Sequence, residues 1–178
     1  LECGGKMTKK CVVIGTSWPR PSSLRKIGIF RTKRISPFDD MKTQIEQIKD
    51  YGPDIMHAYP SCIRALAKEI MEQDIHGIDL DLIFPTGELL DEHTRRLAEK
   101  TFDAGVFDSY GAIEVGRICN ECKEHNGYHT SARAVLVEIT RDGETVSPSK
   151  EGEVTVTNLD NHVMPFIRYD LEDLGVLV

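Results

Sequence analysis

Residues 108–114 combine side-chain types that suit the binding of a nucleotide and a metal ion. The segment reads Asp-Ser-Tyr-Gly-Ala-Ile-Glu, so Tyr110, Gly111 and Glu114 lie close together after a predicted strand. A tyrosine face can stack on a base, and a carboxylate can hold a divalent cation that bridges phosphates. Glycine allows the backbone to approach a ligand closely. The alternative is a plain strand-to-loop turn with an exposed glutamate.

Two further polar clusters have the chemistry of a ligand site. Thr86-Gly87-Glu88 comes directly after the apolar run 80–84, and residues 168–174 include the adjacent acids Glu172 and Asp173. Paired acids can grip vicinal hydroxyls, as acidic side chains do with a ribose. A solvated acidic turn is the competing interpretation of the second cluster.

The thiols and imidazoles between residues 119 and 129 have metal-ligand spacing. Cys119 and Cys122 form a C-x₂-C pair, and His125 and His129 follow, which suits a tetrahedral zinc site. A redox-active thiol pair and an ordinary loop without metal are the alternatives. Cys62 is isolated at a predicted helix start, a position that can lower a thiol pKa.

Alternating hydrophobic periods place the clusters at 86–88 and 108–114 at strand ends of a parallel sheet with flanking helices. Short apolar or β-branched runs predict strands, and capping residues predict helix starts between them. The predicted strands are 11–15, 27–30, 54–58, 80–84 and 106–110, and the predicted helices begin after Asp39 or Asp40, at Ser61 and at Asp91. This repetition indicates βαβ units, in which ligands bind at the carboxyl ends of the strands.

The last third of the chain changes to antiparallel β structure. Strands are predicted at 134–140 and 152–159, with a tight hairpin turn at 141–144. We therefore expect the fold class α/β, with a mostly parallel portion over 1–130 followed by a small antiparallel β subdomain over 131–178.

Composition favours a globular protein and argues against several classes. Of the 178 residues, 40% are hydrophobic and 29% charged, and the net charge of −7 predicts no nucleic-acid partner. No apolar run reaches the length of a membrane span, so we expect no membrane partner. The five cysteines are scattered and nothing resembles a signal peptide, which favours a cytoplasmic location. The sequence contains no glycine-rich phosphate cradle.

Five motifs occur in the order found in adenylate-forming enzymes. They are Pro85-Thr-Gly-Glu-Leu-Leu90, Phe107-Asp-Ser-Tyr-Gly-Ala-Ile-Glu-Val-Gly116, Glu121-Cys-Lys-Glu-His-Asn-Gly-Tyr-His129, Gly152-Glu153 and Pro165-Phe-Ile-Arg-Tyr-Asp-Leu-Glu-Asp173. Together with residues 35–61, they make the chain resemble the phenylacetate–coenzyme A ligase family and its capsule-biosynthesis-like relatives. The resemblance covers nearly the whole chain.

The resemblance implies a reaction and a role for each motif residue. Members of the family use ATP and Mg²⁺ to activate a small carboxylic acid as its acyl-adenylate, and then form the coenzyme A thioester. By motif position, Glu114 would be the catalytic, Mg²⁺-linked carboxylate, Tyr110 the adenine-stacking ring and Asp173 the acid that holds the ribose. The other nucleotide-binding positions implied by the motifs are Gly87, Glu88, Asp108 and Gly111.

The chain departs from the family pattern at two positions and in its extent. Ile113 stands where many members have Thr, and Leu171-Glu172 stands where the family often has Thr-Gly. A phosphate loop is expected before Leu1 and a lid with the catalytic lysine after Val178. We therefore expect a central fragment of a ligase that is inactive alone. The alternative is a non-catalytic, zinc-stabilised binding or scaffold module.

Overall fold

The parallel sheet predicted for the first part of the chain is present, and the described residues give it five strands. The computed structural model describes residues 9–15 and 31–178, and the chain divides into two compact units, 1–108 and 109–178. The strands of the first unit are β1 Cys11–Ile14, β2 Thr32–Ile35, β3 Ile55–Ala58, β4 Leu82–Pro85 and β5 Gly105–Val106. Its helices are α1 Met41–Tyr51, α2 Pro60–Glu72 and α3 Glu92–Phe102.

The five strands are all parallel, in the order β2-β1-β3-β4-β5. Alternate residues of the strands, such as Val12, Ile14, Met56 and Ile83, are buried in one core with the apolar positions of the three helices. Alternation of this kind follows from the two-residue period of a strand. The carboxyl ends of parallel strands meet at one edge of the sheet, and the candidate cluster Thr86-Gly87-Glu88 follows β4 at that edge.

Local capping signals determine where two of the helices begin. Asp40 and Asp91 are the N-caps of α1 and α3, and each carboxylate accepts a hydrogen bond from a backbone N–H, Thr43 at 3.0 Å and Thr94 at 2.7 Å. Gly52 adopts the left-handed conformation that ends α1, with φ 58°. The predicted cap at Asp91 is confirmed, and of the two candidates for α1, Asp39 and Asp40, the cap is Asp40.

The second unit consists of two antiparallel sheets. β6 Ser109–Ala112, β7 Gly116–Glu121 and β8 Tyr128–Thr130 form a three-stranded sheet. The other sheet contains β9 Val135–Arg141, β10 Glu144–Thr145, β11 Glu151–Asn158 and β12 Tyr169–Val176, in the order β10-β9-β11-β12. Side chains from both sheets, among them Ile118, Val135, Ile139 and Val156, share one core.

Several elements differ from the sequence-based prediction. The change from parallel to antiparallel pairing occurs at Ser109 rather than near residue 130, because residues 109–121 turn back on themselves as the β6–β7 hairpin. Strands β2, β7, β8, β10 and β12 were not predicted. The sequences TKRI of β2 and YDLEDLGV of β12 are too polar to show a strand period. The strand predicted at 27–30 lies outside the described residues.

Within residues 9–15 and 31–178, no helix is long and apolar enough to cross a membrane.

Candidate functional site

The carboxyl edge of the parallel sheet is built around one aromatic ring. Tyr59 follows β3, and its ring lies against the glycines that follow the two neighbouring strands. A β-carbon placed on Gly87 would lie 2.9 Å from Tyr59 Cε1, and one placed on Gly15 would lie 3.7 Å from Tyr59 Cε2. Gly87 also has φ +77°, so this position favours glycine both for its backbone and for the close ring. No motif of the sequence singled out Tyr59, although an aromatic residue directly after a predicted strand was a usable signal.

Glu88 serves the fold at this edge. Its carboxylate accepts hydrogen bonds from the Ser61 backbone N–H at 2.9 Å and from the Ser61 hydroxyl at 2.8 Å. Helix α2 begins at Pro60 with Tyr59 as N-cap, and the Tyr59 side chain makes no capping hydrogen bond to the helix. The prediction that Ser61 caps this helix is therefore wrong. A carboxylate from the loop after β4 instead satisfies the first turn, where N–H groups lack partners and the helix dipole favours negative charge.

Asp108 is a buried acidic residue at the end of the first unit. It is 7% exposed and follows Phe107, whose backbone N–H donates to the Ile83 carbonyl at 2.9 Å. The sheet therefore fixes the backbone next to this carboxylate. A role for Asp108 in nucleotide binding stays a prediction.

Two residues predicted to bind one ligand contact each other in the second unit. The Tyr110 hydroxyl donates a hydrogen bond of 2.6 Å to Asp173 Oδ2, although the residues are 63 positions apart. Tyr110 lies on β6 of one sheet and Asp173 on β12 of the other. Burial, and after it the hydrogen bond to Asp173, raises the pKa of Tyr110 well above its ordinary value. The phenol therefore stays protonated and can act as a donor.

Both members of this contact lie at irregularities in strand pairing. In the β6–β7 pair the register shifts between Tyr110 and Gly111, and a β-carbon on Gly111 would lie 2.5 Å from the Gly116 carbonyl oxygen. In the β11–β12 pair three residues of β12, 171–173, stand opposite the single residue Val154. Bulges of this kind redirect side chains, and they are common beside functional sites.

Glu114 lies at the exposed tip of the β6–β7 hairpin. Residues 113–115 form the turn, and Asn158 Nδ2 donates to the Val115 carbonyl at 3.2 Å. The backbone beside Glu114 is thus attached to the end of β11, while its carboxylate faces solvent. An exposed carboxylate supplies the oxygen donors that Mg²⁺ prefers.

The tetrahedral zinc site that the spacing of residues 119–129 would suit does not form. Cys119 pairs with Thr130 and Asn120 with His129, so Cys119 and His129 project from opposite faces of the three-stranded sheet. His125 Nδ1 lies 3.3 Å from Glu121 Oε2. Among the described residues, no three His, Cys, Asp or Glu side chains are placed to hold a metal ion. The spacing reflects a β-hairpin rather than a ligand set.

The pKa of the Cys62 thiol, at the start of α2, also differs from expectation. Burial raises the pKa of Cys62 and outweighs the hydrogen bond with Ser61 that acts in the other direction. The expectation that a helix start lowers this thiol pKa is wrong, because the side chain is drawn into the protein rather than presented to solvent.

Comparison with known proteins gives sequence relatives and structural neighbours. No family model matches the chain. The chain is 32% identical over 149 residues to a phenylacetate-coenzyme A ligase of Pseudomonas putida. It is 31% identical over 142 residues to the enzyme of the same name from Aromatoleum evansii. Each alignment covers 76% of this chain and 32% of the relative, so the chain spans about a third of the length of these relatives.

The solved structures extend the similarity to the whole chain. An open conformation of 2-hydroxyisobutyryl-CoA ligase, in complex with 2-HIB-AMP and CoA, superposes with a TM-score of 0.82 at 16% identity. It matches 98% of this chain and 42% of its own. O-succinylbenzoate coenzyme A synthetase from Bacillus subtilis, in complex with AMP, gives a TM-score of 0.68 at 18% identity, covering 98% and 40% of the two chains.

The parallel sheet with its flanking helices and small antiparallel sheets is the fold of the adenylate-forming coenzyme A ligases. Within that class, both sequence relatives are phenylacetate-coenzyme A ligases. The chain belongs to the phenylacetate–coenzyme A ligase branch of the adenylate-forming superfamily.

Proposed function

We propose that this chain carries part of the nucleotide site of an ATP-dependent acid–coenzyme A ligase. The observation that supports the proposal most directly is the 2.6 Å hydrogen bond between Tyr110 and Asp173. It joins the two residues to which the family resemblance gives the base and the sugar of one nucleotide. The substrate, a small carboxylic acid such as an arylacetic acid, and a cytoplasmic location belong to the same proposal.

Tyr110 and Asp173 would recognise the nucleoside. The ring of Tyr110 offers an apolar face for stacking against adenine, while its hydroxyl is already hydrogen-bonded. Asp173 is exposed, and a carboxylate can accept hydrogen bonds from a pair of ribose hydroxyls. Gly111 keeps the hairpin backbone close beside the ring. Recognition of adenosine would thus come from the bulged strands of the second unit.

Glu114 would hold Mg²⁺ and is the catalytic carboxylate of the proposal. Its side chain fits a hard cation, because it is exposed and the turn that carries it is fixed at Val115. When bound, Mg²⁺ offsets the negative charge that develops on the phosphates. The role of the chain is to present the carboxylate at a fixed place. Coenzyme A is implied by the relatives, and we assign no residue to it.

Within the first unit, the family resemblance assigns nucleotide-binding positions to Gly87, Glu88 and Asp108. Gly87 lets the backbone approach closely beside the Tyr59 ring, and Glu88 keeps that loop attached to the start of α2. Glu88 would therefore support the nucleotide loop by shaping it, with its carboxylate bound to Ser61.

The test uses the longest natural polypeptide that contains this sequence. We expect acid-dependent release of pyrophosphate from ATP and Mg²⁺ with at least one member of an arylacetic and fatty acid panel. Glu114→Gln should lower kcat/KM by roughly two orders of magnitude, because the metal-holding carboxylate acts in the chemical step. Glu124→Gln, which neutralises another exposed carboxylate of the same unit, is the matched control. Near-normal adenylation by Glu114→Gln would remove that residue from the proposed mechanism.

A non-catalytic nucleotide-binding module is the second candidate. The observation that favours it is Ile113, which is 95% exposed at a position where many family members have a threonine hydroxyl. A module of this kind would bind ATP with Tyr110 and Asp173 but release no pyrophosphate with any acid. Equilibrium binding of ATP, measured beside the turnover assay, separates the two functions.

A further inference from the structure

The hydrogen bond between Tyr110 and Asp173 links two residues with different proposed roles, one at the base and one at the ribose. The donor is a phenol on β6 and the acceptor is Oδ2 of a carboxylate on β12, at 2.6 Å. This is the length of a charge-assisted O–H···O⁻ bond, roughly 2.5–2.7 Å, which is stronger than a bond between neutral groups. The contact spans the two sheets of the second unit, so their packing determines it.

Backbone irregularities direct the two side chains toward each other. Asp173 is the last residue of the β12 bulge, and the preceding Glu172 adopts φ +60° while its N–H donates to Asp170 Oδ1 at 2.8 Å. Tyr110 immediately precedes the register shift of the β6–β7 pair. Regular pairing would place each side chain by strand alternation alone, whereas both strands here depart from it at this contact.

The hydrogen bond restricts a carboxylate that is otherwise exposed. Within residues 109–178, Tyr110 is the only hydrogen-bond partner that the structure gives to the Asp173 carboxylate. Because burial raises the pKa of Tyr110, the phenol remains a donor at any working pH. It occupies one acceptor position on Oδ2, and a carboxylate has about four. The positions that remain suffice for two vicinal hydroxyls.

We propose that the Tyr110 hydroxyl is a positioning group that orients the Asp173 carboxylate for the ribose diol. One side chain then couples two parts of nucleotide recognition, with its ring at the base and its hydroxyl on the acid that binds the sugar. This inference rests on the proposed function, because it presupposes that Asp173 binds ribose.

The experiment compares ATP with 3′-deoxyATP in the longest natural polypeptide that contains the sequence. Tyr110→Phe keeps the ring and removes the hydroxyl. We expect the KM for ATP to rise about tenfold with little change in kcat, a ratio equivalent to about 1.4 kcal/mol. The KM for 3′-deoxyATP should change little, so the preference for ATP falls. Tyr169→Phe, which removes a phenol hydroxyl from β12 without touching Asp173, should keep the wild-type preference.

A double-mutant cycle distinguishes positioning from a general effect on folding. If Tyr110 acts through Asp173, Tyr110→Phe combined with Asp173→Asn should lose no more ATP preference than Asp173→Asn alone. Thermal melts of the variants exclude unfolding as the cause, and Asp173→Asn carries the same comparison if Tyr110→Phe does not fold. Additive losses, or an unchanged ATP preference in Tyr110→Phe, would overturn the inference and leave the proposed function standing. A wild-type protein that fails to distinguish ATP from 3′-deoxyATP would overturn the ribose assignment itself.

Discussion

Glu172 shows at the residue scale why a family pattern can require glycine. Its φ of +60° lies in the left-handed region, where a β-carbon costs roughly 1–2 kcal/mol. The residue directly before Asp173 needs this conformation because the β12 bulge turns the chain there. The Thr-Gly that family members often carry at 171–172 meets the same requirement without strain. The chain tolerates Glu172 because the Asp170 carboxylate accepts a hydrogen bond from its N–H.

Replacing Glu172 with glycine should therefore stabilise the protein. We expect Glu172→Gly to raise the free energy of unfolding by about 0.5–1 kcal/mol, since relief of the left-handed strain exceeds the added entropy of the unfolded chain. Glu172→Ala keeps the β-carbon and should give no such gain. Urea unfolding monitored by circular dichroism measures both variants. Equal stability of the Gly and Ala variants would show that the backbone conformation is not the source of the effect.

At the scale of elements, the start of α3 depends on one exposed carboxylate. Hydrogen bonds from the Thr94 backbone N–H and then from its hydroxyl lower the pKa of Asp91 below its ordinary value. A carboxyl with a lowered pKa in the folded state stabilises the protein above the unfolded pKa, near 4. That contribution is lost as the pH falls through the lowered pKa.

The charge of this cap can be separated from its hydrogen bond. Asn is a good N-cap without charge, so Asp91→Asn should lower the melting temperature by only a few degrees at pH 7. The difference in melting temperature between wild type and Asp91→Asn should disappear as the pH is lowered from about 4 to 2, because the wild-type carboxylate then becomes protonated. Differential scanning calorimetry across this range tests the expectation, with Asp160→Asn as an exposed control. A difference in melting temperature that does not change with pH would exclude a charge effect.

At the scale of the whole molecule, each unit has its own core. Unit 1 is organised around the single core of the parallel sheet and its three helices, and unit 2 around the core shared by its two sheets. The candidate residues are distributed over both units, with Gly87, Glu88 and Asp108 in the first and Tyr110, Glu114 and Asp173 in the second. The chain spans about a third of its curated relatives.

The 178-residue chain alone should therefore be inactive. Stabilisation of a transferring phosphoryl group needs several donors, and the sequence contains no glycine-rich phosphate cradle. We expect no acid-dependent pyrophosphate release with ATP, Mg²⁺ and arylacetic or fatty acids, compared with a heat-inactivated sample. Release clearly above that background would contradict the interpretation of the chain as part of a longer ligase.

Local chemistry was sufficient to predict most of the regular elements. Each correctly predicted element has a cause that lies within a few neighbouring residues. Examples are the β-branched runs at β1 and β11, the caps Asp40 and Asp91, and the turn at 141–144. The motif order predicted the branch of the superfamily for the same reason, since each motif is contiguous.

Tertiary structure alone decided which of these residues meet. Tyr110 and Asp173 are brought together by two bulges and by the packing of two sheets, and Glu88 reaches Ser61 from 27 positions away. The Cys119 and His129 side chains were separated by a strand register that their spacing does not reveal. Contacts between distant residues depend on the sum of many weak packing and pairing interactions, so no short stretch of sequence contains them.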